Sequence, residues 1–169
     1  MYSKFQNKFL TADNQKRAFI NTQKIKTLWF NTGTLCNLAC KGCYIDSSPK
    51  NDRLAYLSID EFKSFVNESI QNKMGTEQIG FTGGEPFMNR DIFKMIKYSL
   101  ENDFKTLVLT NAMKPMLNNK SDLFKLNHLN LTIRVSIDHY SKKKHEQIRG
   151  PNSWAPMIEG LKWLSNNKF

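Results

Sequence analysis

From Ile25 onward, short runs of β-branched and aromatic residues alternate with stretches whose apolar residues recur at helical spacing. Ile25 to Thr34 reads as the first strand. Ser58-Ile-Asp-Glu61 has the form of a capping box, in which each side chain satisfies an orphan amide at a helix start. Phe62, Phe65, Val66 and Ile70 then fall on one helical face, and Gly75 is a natural stop. Gln78 to Thr82 predicts a short strand, and Asp91 to Asn102 a helix carrying Ile92, Phe93, Ile96 and Leu100. Thr106 to Thr110 predicts a third strand, and Ser121 to Leu129 a weaker helix. Leu131 to Asp138 alternates, with Leu131, Ile133, Val135 and Ile137 on one side and Thr132, Arg134, Ser136 and Asp138 on the other. Trp154 to Asn166 predicts a helix that tolerates Pro156 in its first turn and carries a stripe of Ile158, Leu161 and Leu164. This alternation predicts an α/β fold with parallel strands and crossover helices. Residues 1–24 are polar, with scattered Phe5, Phe9, Leu10, Phe19 and Ile20, and read as an N-terminal extension to a core domain at 25–169.

A chain of 169 residues is long enough for one domain with a real core. No apolar stretch approaches the ~20 residues that cross a bilayer, and Met1 to Arg17 is polar and lysine-rich, without the apolar centre of a signal peptide. A soluble, cytoplasmic protein with no membrane partner is the expectation, and a reducing compartment suits three cysteines, of which a disulfide would leave one unpaired. The formal net charge of +10 invites a nucleic-acid reading. The excess is diffuse, with Lys142-Lys143-Lys144 its longest basic run, and no recognised nucleic-acid module accompanies it. A solvated surface is therefore preferred, and RNA binding is kept as a secondary alternative.

The chemistry lies in the loop that leaves the first strand. Cys36, Cys40 and Cys43 stand in a C-x3-C-x2-C arrangement and are the chain's entire cysteine complement. Structural zinc sites take four Cys or His ligands in characteristic pairs, and His128, His139 and His145 form no such pair. Iron–sulfur clusters normally take four thiolates. Three therefore point to a [4Fe-4S] cluster with one iron left for a non-protein ligand, with a zinc knuckle and unrelated core cysteines as alternatives.

The remaining polar signatures fall at strand ends, the rim where parallel β/α architectures place active sites. The second strand ends in Thr82-Gly83-Gly84-Glu85-Pro86, where paired glycines allow close backbone approach to a ligand. Glu85 offers a charge for a cationic group, although a plain β-to-α turn has the same composition. The third strand ends in Thr110-Asn111-Ala112, suited to sugar hydroxyls or to capping a turn. The fourth ends in Ser136-Ile137-Asp138, whose polar residues share a face, and Arg149 downstream is a fork for a carboxylate or an ordinary surface arginine.

In this order the motifs resemble the radical S-adenosylmethionine (radical SAM) enzymes, from Ile25 to the C-terminus. The resemblance implies a partial parallel (β/α) barrel with about four β/α units in this chain. It implies a [4Fe-4S] cluster on Cys36, Cys40 and Cys43, with S-adenosylmethionine chelating the fourth iron. Gly83, Gly84 and Glu85 after Thr82 would face the methionyl ammonium, Ser136 and Asp138 the ribose or carboxylate edge, and Arg149 the carboxylate. Reductive cleavage would give methionine and a 5′-deoxyadenosyl radical that abstracts hydrogen from a substrate, with an electron donor such as flavodoxin or ferredoxin as partner. Gly42 stands where the family usually has an aromatic residue or histidine, which passes adenine stacking to Tyr44. Ala112 replaces the glycine usual after Thr-Asn. A family barrel has six units, so a truncated member, or a domain closed by a partner, is expected. A cluster binder without turnover is the alternative function.

Overall fold

The computed structural model describes residues 6–21 and 23–169. Four strands, β1 (Thr27–Asn31), β2 (Gln78–Thr82), β3 (Lys105–Thr110) and β4 (Leu131–Val135), form one parallel sheet in chain order. Between and after them run the helices α1 (Ile59–Gln71), α2 (Ile92–Glu101), α3 (Lys114–Leu117), α4 (Lys120–Lys125), α5 (Lys142–Arg149) and α6 (Trp154–Asn166). The sheet agrees with the parallel α/β expectation.

One face of the sheet is buried by the helices. Phe30, Ile79, Phe81 and Val108 pack there with Phe62 and Val66 of α1 and Ile92, Met95 and Ile96 of α2. Phe62 is fully buried and meets Phe30 edge-on at 4.6 Å between ring centroids. Such aromatic pairs add about 1 kcal/mol beyond the area they bury. The other face carries the register row Trp29, Gly80, Leu107 and Thr132. Trp29 lies across Gly80, where a Cβ would come within 2.4 Å of the indole, yet it remains half exposed. The sheet is thus packed on one side and open on the other, the shape of a barrel wall seen from inside.

The α1 capping box forms as expected, with Ser58 and Glu61 exchanging bonds. Several boundaries and faces differ from the sequence reading. β1 stops at Asn31, because the Thr32 hydroxyl donates to the Thr82 carbonyl and Gly33 takes a positive φ that turns the chain. On α1 Phe65 and Ile70 are exposed and Ser69 is buried instead. The buried line of α6 is Met157, Gly160 and Leu164, so Ile158 and Leu161 flank the contact rather than make it. α4 ends at Lys125, since His128 builds a turn that leaves Leu129 fully exposed. β4 ends at Val135, which leaves Ile137 outside the strand and 43% exposed.

In the N-terminal segment, Phe9 and Arg17 are linked in a short hairpin, while Phe19 and Ile20 are exposed. Phe5 lies outside the described residues.

Candidate active site

All the strand-end signatures meet. A cavity of about 270 Å³ at the C-terminal rim of the sheet is lined by Cys36, Cys40, Cys43 and Tyr44 from the loop after β1. Thr82, Gly83, Gly84 and Glu85 line it from β2, and Thr110 and Asn111 from β3. Ser136, Asp138 and Arg149 complete it from the β4–α5 side. Leu38, Lys41, Ser47, Leu109 and Ile148 also line it and carry no motif that sequence reasoning could use.

The cysteine loop is held at several points. The Cys36 amide donates to the Ser48 carbonyl at 3.1 Å, closing the loop on itself, and the Lys41 amide donates to the Ile148 carbonyl at 2.8 Å, tying the loop to α5. Backbone amides also point at sulfur: Leu38 N–H to Cys36 Sγ at 3.4 Å and Ser47 N–H to Cys43 Sγ at 3.3 Å. Burial pushes the Cys36 thiol up to about 11, and the Cys40 thiol is raised by the same cause. Burial thus favours the neutral thiol at both positions, and a metal centre must displace the protons to bind.

The two glycines after β2 serve the protein itself. Gly84 N–H donates to the Gly33 carbonyl at 2.8 Å and Glu85 N–H to the Leu35 carbonyl at 3.1 Å, so the turn zips against the start of the cysteine loop. A Cβ on Gly84 would come within 2.1 Å of the Leu35 carbonyl oxygen, and Gly83 has a φ of +125°. These are the close approach and the backbone conformation for which glycine is needed.

The Glu85 side chain is 2% exposed. Its carboxylate accepts from the Thr110 hydroxyl at 2.7 Å, from Asn111 N–H at 2.9 Å and from Phe87 N–H at 3.3 Å. Burial lifts its pKa to about 7 against these stabilising bonds. Glu85 therefore clamps the end of β3 to the turn after β2. Across the cavity, Asp138 and Arg149 bond each other. Tyr44 is exposed and its hydroxyl sits 2.9 Å from the Thr82 hydroxyl. Ala112 adopts a φ of +57°, the conformation a glycine would take without strain.

The donor set suits a soft polynuclear centre. Thiolates are the ligands of iron–sulfur clusters, and here two of the sulfurs already receive amide N–H bonds. Among the described residues no three His, Cys, Asp or Glu side chains converge to hold a single metal ion. The three thiols line the cavity. No helix among the described residues is long and apolar enough to cross a membrane.

The model of the Radical SAM superfamily matches residues 30–169. The antilisterial bacteriocin subtilosin biosynthesis protein AlbA of Bacillus subtilis is 31% identical over 133 residues, which is 78% of this chain and 29% of that protein. A GTP 3',8-cyclase of Photorhabdus laumondii is 30% identical over 129 residues, 75% of this chain and 38% of the relative. Among solved structures, Streptococcus suis SuiB bound to S-adenosylmethionine superposes with a TM-score of 0.72 at 20% identity, covering 86% of this chain and 32% of SuiB. The chain thus spans about a third of the length of these proteins.

Proposed function

The chain belongs to the radical SAM superfamily, whose members use a [4Fe-4S] cluster and S-adenosylmethionine, and we propose that its cavity holds both and starts radical chemistry on a substrate. Bound together, the pair supplies one-electron reductive cleavage of the sulfonium, giving methionine and a 5′-deoxyadenosyl radical that takes a hydrogen atom from the substrate. The observation that carries this reading is the meeting of three thiols and all three later strand ends around one cavity.

The protein's part is positioning and exclusion of water. Cys36, Cys40 and Cys43 would hold the cluster through their thiolates. The turn Thr82-Gly83-Gly84-Glu85 forms the wall that receives the methionyl end. Ser136, Asp138 and Arg149 offer a hydroxyl, a carboxylate and a guanidinium to the ribose and carboxylate edges, and Tyr44 offers a ring to the adenine. An electron donor such as flavodoxin or ferredoxin would supply the electron.

Anaerobic reconstitution with iron and sulfide tests the proposal. The reduced protein should give a [4Fe-4S] electron paramagnetic resonance signal that changes when S-adenosylmethionine is added, and dithionite should drive formation of 5′-deoxyadenosine. A signal indifferent to S-adenosylmethionine, or zinc in place of iron, overturns it. A cofactor-responsive cluster with no 5′-deoxyadenosine would instead make this chain a binder that does not turn over.

A further inference from the structure

Asn111 is 5% exposed, and its backbone N–H and both polar atoms of its side chain are committed. Its backbone N–H donates to Glu85 Oε2, as described above. Its Oδ1 accepts from Met113 N–H at 3.0 Å. That bond fixes which way the side-chain amide faces. The Nδ2 group is thereby turned to the cysteine loop, where it lies 2.8 Å from Asn37 Oδ1 and 3.8 Å from Cys36 Sγ.

We propose that Asn111 is a positioning residue that tunes the iron–sulfur centre: its side-chain amide, oriented by the Met113 N–H, donates to the Cys36 sulfur and favours the reduced state. The inference rests on the reading that the three cysteines carry a [4Fe-4S] cluster. Reduction adds one negative charge to the cluster and its thiolates. A donor to sulfur stabilises that charge and raises the reduction potential, and it does so most effectively where water is excluded. The other donors to cysteine sulfur, from Leu38 and Ser47, are backbone amides. Asn111 is the side chain that contributes, and it does so from a different strand. Its side-chain polar atoms are taken by the protein, which leaves little for the side-chain sugar contact expected from Thr110-Asn111 in the sequence.

The test is an equilibrium redox titration of the reconstituted full chain with dithionite and mediators, read by electron paramagnetic resonance. Asn111→Asp keeps the shape and the backbone bond to Glu85 but replaces the donor with an acceptor. At a fixed poise its ratio of reduced to oxidised cluster should fall by about tenfold, the scale of a hydrogen bond to a charged group, and Asn111→Ala should fall less. Asn37→Ala removes the competing acceptor and should shift the ratio upward. Val66→Ala opens a void in the core beneath α1, outside the cavity and its hydrogen bonds, so it should lower thermal stability and leave the potential unchanged.

An unshifted Asn111→Asp, or an equal shift in Val66→Ala, overturns the proposal while the cluster reading stands. Should Asn111→Asp fail to load iron, Asn37→Ala decides, and a downward or absent shift counts against the idea. A wild-type chain that takes up no cluster removes both readings at once.

Discussion

The two sides of the cavity are built differently. Under β2 and β3 the wall is dry and saturated with hydrogen bonds: Glu85 and Asn111 are buried, and between them they engage Thr110, Phe87, Met113, Asn37 and Cys36. Beyond β4 the wall is open. The Asp138 side chain is 34% exposed and its partner Arg149 17%, and β4 is an edge strand whose alternate residues Thr132 and Arg134 face solvent. The side under β2 and β3 is therefore set before any ligand arrives, whereas the side chains of the proposed nucleotide contacts Asp138 and Arg149 are partly exposed and bond each other. Preorganisation is concentrated where a metal centre must be gripped, and adaptability where a larger ligand enters.

Breaking the closed side should cost most. Glu85→Ala strands the Thr110 hydroxyl and the Asn111 and Phe87 amides in a dry site, and each buried unsatisfied group costs about 1–3 kcal/mol. Urea denaturation should show a loss of about 3 kcal/mol or more, with iron uptake falling alongside. A loss below about 1 kcal/mol would mean that water reaches this wall and that the contrast is false.

Gly84→Ala probes the same side through shape. Its Cβ would collide with the Leu35 carbonyl, which is backbone and cannot swing away. Overpacking of this kind costs about 1–3 kcal/mol. The turn and the cysteine loop should separate, so iron retention during gel filtration should drop with stability. Retention equal to wild type would show that the zipped turn is not what fixes the loop.

On the open side Arg149→Ala should behave in the opposite way. A partly exposed ion pair contributes about 1 kcal/mol or less, so the melting temperature should barely move. The response of the cluster signal to S-adenosylmethionine should weaken strongly. A large stability loss with normal cofactor response would make Arg149 a structural residue and sharpen the division between the two sides elsewhere.

The closed side was also the more legible one in sequence, for a physical reason. β2 is the strand its residues predict because Ile79 and Phe81 alternate with a glycine and end at a Gly-Gly turn. Its chemistry sits at the strand end, where parallel topology collects such residues without further information. α5 was hidden, since it opens on Lys142-Lys143-Lys144 and the residue it buries is His145, so apolar periodicity has nothing to register. α3, a single turn with a proline inside it, was hidden for the same want of pattern. The bonds of Asn111 to Asn37 and Met113, and the lining roles of Leu38, Ser47 and Ile148, depend on the path of loops in space. Spacing along the chain does not encode that path.

The smallest effect comes from the same hidden helix. His145 is fully buried against Trp154, with its ring 5.3 Å from the indole and edge-on to it, and neither ring nitrogen has a hydrogen-bond partner among the described residues. Burial holds its pKa below the ordinary value of 6.5, Arg149 pushes in the same direction, and Asp138 and Glu146 oppose them. The unfolded chain thus takes up a proton near pH 6.5 that the folded chain resists, so this residue's share of stability is present above that pH. It is lost as the pH falls below 6.5 and the loss is complete once the folded pKa is passed. Melting temperatures at pH 7.5 and 5.5 should differ more in the wild-type chain than in His145→Phe, which keeps a ring against Trp154 and cannot titrate. Equal slopes in the two proteins would mean that His145 finds water when protonated, and α5 would then belong entirely to the open, adaptable side.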